Sequence, residues 1–147
     1  ETAFRPDGKK IAFVSDKDGT PHIFLIDTPY SNTKKMPNPL CITKKHRQNT
    51  CPSWSPDGTK LAYCANIDGI RQIMVYDFMN KDSIQLTKGP HHKENPVWAP
   101  NSTHIVFNTI GSKTELFLIN LKQKEMVQLT EGIGKKHYPS WGPLINN

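Results

Sequence analysis

Hydrophobic positions in this chain fall in short runs separated by turn residues, with no long helical pattern. The first stretch predicts strands over 3–6, 10–15, 22–27 and 40–43, with Ile23 and Leu25 on one face of the third. The second predicts strands over 52–54, 60–65, 72–77 and 83–87, and the third over 96–98, 104–109, 115–120 and 126–130. A polar, proline-rich excursion over 28–39 makes the first stretch longer than the others.

These stretches are copies of one unit. The aromatic anchors Phe4, Trp54, Trp98 and Trp141 are 50, 44 and 43 residues apart, and Thr43, Thr87 and Thr130 each close a unit. In the middle copy Pro56 presets φ for a type I turn, Asp57 suits its second corner, and Gly58 supplies the positive φ that returns the chain to the sheet. Pro6-Asp7-Gly8 repeats the turn, and the third copy places Asn101-Ser102 where the others have Asp-Gly. Four short antiparallel strands per unit at this period predict an all-β fold, a β-propeller of three four-stranded blades plus a closing strand. The blades divide as 1–48, 49–93 and 94–136, with the closing strand in 137–147.

Composition bounds the rest. Twelve prolines and nine glycines in 147 residues agree with many turns, and no apolar run is long enough to cross a membrane. The chain opens inside a repeat, so a fragment of a longer protein is expected, with any targeting signal upstream. Three cysteines cannot all pair within one chain. A three-residue Pro-Asp-Gly loop sets Ser55 opposite Thr59 and Cys51 opposite Tyr63, which turns Cys64 to the other face and opposes a Cys51–Cys64 disulfide. A two-residue turn would reverse that reading.

The formal net charge of +6 is unevenly placed. Lys44, Lys45 and Arg47, then Lys88 and Lys93, then Lys135 and Lys136 follow the last strand of each unit. In a propeller such connections emerge on one face near the channel, so repeat symmetry predicts a basic arc suited to an acidic partner. The same lysines also fit plain solvated loops. His46, His91, His92 and His137 share this rim, but they precede the next Trp by 8, 7, 6 and 4 residues and need not converge on a metal. No stacking aromatics accompany the lysines, so nucleic acid is not expected. Asp16-Lys17-Asp18-Gly19 lacks the later acidic ligands of a calcium loop, and Gly132-Ile133-Gly134-Lys135-Lys136 lacks the spacing of a phosphate loop. No Gly-x-Ser-x-Gly elbow occurs, so no catalytic residue, metal or cofactor is expected.

Trp54-Ser55-Pro56-Asp57-Gly58-Thr59-Lys60-Leu61-Ala62-Tyr63, followed by Asp68-Gly69, Gln72-Ile73, Val75-Tyr76-Asp77 and Gln85-Leu86-Thr87, resembles the repeat of the TolB family. Tyr138-Pro139-Ser140-Trp141-Gly142-Pro143-Leu144 resembles that family's ending on a lone first strand. The resemblance spans essentially the whole chain. It implies the C-terminal half of a six-bladed propeller behind a small α/β domain, in a periplasmic, non-catalytic scaffold of the Tol-Pal envelope system. The implied partners are the lipoprotein Pal and other Tol proteins. The implied binding loops are 46–50, 93–95 and 136–138, and within them Arg47, Gln48, Asn49, Lys93, Glu94, Lys136 and His137. Asn101-Ser102 and the three cysteines depart from the family pattern. Similar repeats occur in prolyl oligopeptidase-type serine peptidases, where such a propeller half would gate access to a separate hydrolase domain. Three blades alone form an open arc, which a second copy could close into a homodimer by exchanging the 138–141 strand.

Overall fold

The computed structural model describes residues 1–29 and 37–144. Its hairpins follow from turn chemistry. Gly8 N–H donates to Arg5 O at 2.7 Å, Gly58 N–H to Ser55 O at 2.8 Å and Ser102 N–H to Ala99 O at 3.0 Å. Gly8, Gly58 and Ser102 all have positive φ, at 70°, 71° and 58°. The preceding Asp7, Asp57 and Asn101 side chains accept the N–H groups of Lys9, Thr59 and Thr103 at 2.9–3.0 Å. Asparagine serves as well as aspartate here because only the carbonyl-type Oδ1 is used.

Each turn opens a four-stranded antiparallel meander. Blade one is β1 (Thr2–Phe4), β2 (Lys10–Ser15), β3 (His22–Asp27) and β4 (Leu40–Cys41). Blade two is β5 (Arg47–Trp54), β6 (Lys60–Ile67), β7 (Ile70–Asp77) and β8 (Asp82–Gln85). Blade three is β9 (His92–Trp98), β10 (His104–Ile110), β11 (Leu116–Asn120) and β12 (Met126–Gln128). β5 packs on β1, β2 and β3, and β9 packs on β5, β6 and β7. The first strands make the backbone approach between blades, whereas the fourth strands approach only the third strand of their own blade, so the first strands are innermost.

The core lies between the blades. Side chains alternate across a strand, so β6 sends Leu61, Tyr63 and Ala65 toward blade one. There they pack with Ala12, Ile23, Leu25 and Trp54. β6 sends Ala62 and Cys64 toward blade three, where they join Ile73, Val75, Trp98, Ile105 and Phe107. Both faces of blade two are therefore dry, which explains the unbroken buried run over 61–65. The repeated tryptophans also bridge blades through their indole N–H: Trp54 Nε1 donates to Ala3 O at 3.0 Å, and Trp98 Nε1 to Ser53 O at 2.9 Å.

The structure departs from the sequence expectations in several places. Ser55 N–H donates to Lys60 O and Trp54 pairs with Leu61, so the hairpin loop holds four residues rather than three. That register brings Cys51 beside Cys64, with Thr50 the formal partner of Cys64 across an irregularity, and both cysteines join the blade-three side. Cys41, Cys51 and Cys64 are free thiols. β5 and β9 begin at Arg47 and His92, so blade boundaries drawn after 48 and 93 cut into first strands. Those leading residues are polar and pair through shifted register, which hides them from a hydrophobic pattern. No strand forms over 138–141: first strands pair with the second strand of their own blade, and the described residues hold none for a fourth. Much of the 28–39 excursion lies outside the described residues.

The Trp98 indole is buried and hydrogen-bonded across the blade interface. Trp98→Phe is expected to cost about 1 kcal/mol for the lost bond. Trp98→Ala is expected to cost about 3–5 kcal/mol in urea denaturation. Equal, small effects of both changes would show that the indole does not hold blades two and three together.

Candidate functional site

Three connections, 44–49, 88–93 and 131–136, lead from a fourth strand into the next inner segment, and each is held by the same polar device. The threonine that closes the unit turns its Oγ1 back into the sheet. Thr43, Thr87 and Thr130 accept the N–H of Ile23, Ile73 and Leu116, each at 2.9 Å. Each threonine also meets the residue that precedes that N–H: Thr43 lies 3.3 Å from His22 Nδ1, Thr87 donates to Gln72 Oε1 at 2.7 Å, and Thr130 donates to Glu115 Oε2.

A donor six residues after each threonine then gathers the loop. Asn49 Nδ2 donates to His46 O at 2.7 Å. Lys93 Nζ donates to the carbonyls of Lys88, Gly89 and Pro90 at 2.8–2.9 Å. Lys136 Nζ donates to Gly132 O and Gly134 O at 3.0 Å and to Ile133 O at 3.3 Å, and it pairs with Glu115 at 3.2 Å. An ammonium carries three donors and no acceptor, so three converging carbonyls satisfy it without a counter-ion. Burial pushes the Lys93 ammonium below its ordinary value. The Thr130 hydroxyl, then Lys136, holds the Glu115 carboxyl below its own, against the effect of burial.

This geometry separates the seven expected site residues into two kinds. Asn49 and Lys93 are 0% and 1% exposed, and Lys136 is engaged by its own loop, so these three shape the rim from beneath. Arg47, Gln48 and His137 are exposed. Glu94 is partly buried and pairs with Arg71. Arg47 and Gln48 border a cleft of about 620 Å³ with Lys45, His46, Asn66 and Asp68. Gln48 Oε1 accepts from Asn66 Nδ2 at 3.0 Å, which ties the loop to the β6–β7 turn. Lys44, Lys45, Lys88 and Lys135 are exposed, but so are Asp68 and Glu131, so the rim carries both signs. Arg71 and the residues at the start of the third strands, His22, Gln72 and Glu115, escaped the sequence reading. Gln72 and Glu115 each precede the closing threonine of their unit by 15 residues, a repeated spacing that marks them; His22 precedes Thr43 by 21 because of the 28–39 excursion, and no repeat marks Arg71.

The inner edge repeats a second feature. Cys51, Asn95 and Tyr138 all have positive φ, at 53°, 55° and 52°, and each precedes a proline. In blades two and three this residue sits at the register shift of the first strand. Together with Glu1 these residues border a cleft of about 400 Å³ on the channel side.

Comparison with known proteins follows the same lines. The family model described as the TolB beta propeller domain matches residues 1–145. A "Protein TolB homolog" from Protochlamydia amoebophila is 52% identical over 74 residues, covering 50% of this chain and 16% of that protein. The "Uncharacterized peptidase YuxL" of Bacillus subtilis is 27% identical over 110 residues, covering 70% of this chain and again 16% of the relative. The structure of a putative TolB from Agrobacterium tumefaciens superposes with a TM-score of 0.85 at 21% identity, covering 97% of this chain and 50% of that one. The chain thus spans half or less of each of these proteins.

Two outcomes test the loop device. Lys93→Met leaves three carbonyls without their donor and is expected to lower stability by about 1–3 kcal/mol in urea denaturation. An unchanged midpoint would make the cap superfluous. The Glu115 carboxyl is more acidic folded than unfolded, so its contribution is complete above the ordinary value of 4.5 and is lost as pH falls through the folded-state value. Glu115→Gln should therefore weaken the protein near neutral pH and flatten its loss of stability on acidification. Parallel acid profiles for the two proteins would contradict this.

Proposed function

The chain belongs to the TolB beta-propeller domain family, and from that premise we propose that it forms part of a non-catalytic periplasmic scaffold of the Tol-Pal envelope system. In this reading the scaffold binds the lipoprotein Pal through its rim loops. The observation that supports it best is the polar device repeated under three loops of one rim. A loop whose carbonyls are already gathered by Lys93 or Lys136 loses little freedom on binding, which favours affinity. Arg47, Gln48 and His137 then make the contacts, while Glu94 fixes the Arg71 fork beside them. Asn49, Lys93 and Lys136 are positioning residues beneath that surface. Recognition rests on shape and on charges of both signs, with no bond made or broken.

A second reading draws on the 27% identity to the Bacillus subtilis peptidase. Here the blades would be the gating half of a serine peptidase propeller, with chemistry in another domain. A parent chain that carries a hydrolase domain and cleaves peptides would favour this alternative.

The test is calorimetric titration of the intact parent chain with the soluble domain of Pal at low and moderate salt. Saturable binding that weakens with salt is expected, with Arg47→Glu lowering affinity by about tenfold. Lys93→Met should weaken binding by loosening its loop, with no contact of its own lost. Absence of binding by the folded protein, or full affinity in Arg47→Glu, would overturn the rim reading.

A further inference from the structure

Cys51 and Cys64 form a group with chemistry that the scaffold role does not use. Cys51 is the left-handed residue of the β5 irregularity, and its neighbour Thr50 is the Cα partner of Cys64. Both thiols point to the same side of the sheet, into the cluster shared with blade three. Both are free thiols. The irregularity sets Cys51 and Pro52 against Tyr63, so Cys51 lies diagonally beside Cys64 rather than opposite it, and its side chain joins the same cluster.

Access differs between them. Cys64 is 0% exposed, whereas Cys51 is half-buried and borders the channel-side cleft with Glu1, Asn95 and Tyr138. Cys51 Sγ lies 3.7 Å from both Glu1 Oε1 and Asn95 Oδ1, and its N–H donates to the Glu1 carboxylate. The neighbouring Cys64 side chain holds the Cys51 thiol below its ordinary value, against burial and the Glu1 charge. The neighbouring Cys51 side chain, then burial, pushes the Cys64 thiol well up. A dissolved disulfide can therefore reach only Cys51, and Cys64 can reach only Cys51.

We propose that Cys51 and Cys64 are a redox dithiol, in which Cys51 is the channel-facing attacking thiol and Cys64 the buried resolving thiol, oxidised by small or protein disulfides. The Cys51 thiolate attacks one sulfur of the incoming disulfide. A Cys51–sulfur bond forms, the incoming bond breaks, and the first leaving thiolate takes up the proton that Cys51 released. Cys64 then attacks Cys51 Sγ, the mixed disulfide breaks, and the second leaving thiolate takes the Cys64 proton. Two cysteines lose two electrons and one external disulfide becomes two thiols. The product would clamp β5 to β6 at the irregularity beside Asn95. Cys41, on the outer strand of blade one with its Sγ directed at Thr43 O, takes no part. This inference stands apart from the scaffold reading.

The experiment treats the reduced, folded chain with oxidised glutathione, quenches with acid, alkylates and maps the peptides. The expected product has lost two hydrogens, links Cys51 to Cys64, and carries its alkyl group on Cys41. Cys64→Ala should stop at one glutathionyl group on Cys51, and Cys51→Ala should leave Cys64 reduced. Cys41→Ser keeps both partners and leaves the core untouched, so it should form the same link if Cys64→Ala fails to fold. A link that requires Cys41, a stable Cys51 adduct in the wild-type chain, or no modification of Cys51 would each overturn the assignment.

Discussion

Everything in this molecule depends on covering both faces of a thin sheet. A four-stranded meander has two apolar faces when it sits between neighbours, and alternation along β6 serves each in turn, Leu61, Tyr63 and Ala65 one way and Ala62 and Cys64 the other. The repeated indole fastens that contact. Trp54 and Trp98 bury their rings between blades and donate to a carbonyl of the preceding inner strand. That single bond satisfies a polar atom that burial would otherwise leave costly, and it sets how one blade lies on the next.

The rim is built on this frame by polar rather than apolar means. Thr43, Thr87 and Thr130 occupy equivalent places, and each ties the end of a fourth strand to the start of a third. Asn49, Lys93 and Lys136 then draw in the loop that follows. The three versions differ in charge: a histidine with an asparagine, a glutamine with a lysine, and a glutamate with a lysine. The geometry survives because each version sets a polar side chain against the threonine and a donor against the loop carbonyls. A basic surface count therefore overstates what a partner meets, since two of the rim lysines face inward.

The repeat, the hairpins and the all-β fold were legible because their signals are local: Pro-Asp-Gly, an aromatic anchor, and Gln-Leu-Thr. What sequence could not supply depends on geometry between strands. A loop longer by one residue reversed the relation of Cys51 to Cys64, and the left-handed residue before Pro52 shifted the register again. Lys93 illustrates the limit for the site. In a sequence it reads as surface charge, yet three carbonyls within five residues draw it under the loop. Arg47, Gln48 and His137 kept the exposure that their place in the loops implied.

If the rim held from beneath by Asn49, Lys93 and Lys136 is the surface a protein partner meets, binding must slow exchange in its loops. Hydrogen exchange on the parent chain, alone and with the soluble Pal domain, is the measurement that decides this. Added protection is predicted in 44–51, 88–95 and 131–138, with the opposite turns at 55–59 and 99–103 unchanged. Protection confined to those opposite turns would place the partner on the other face.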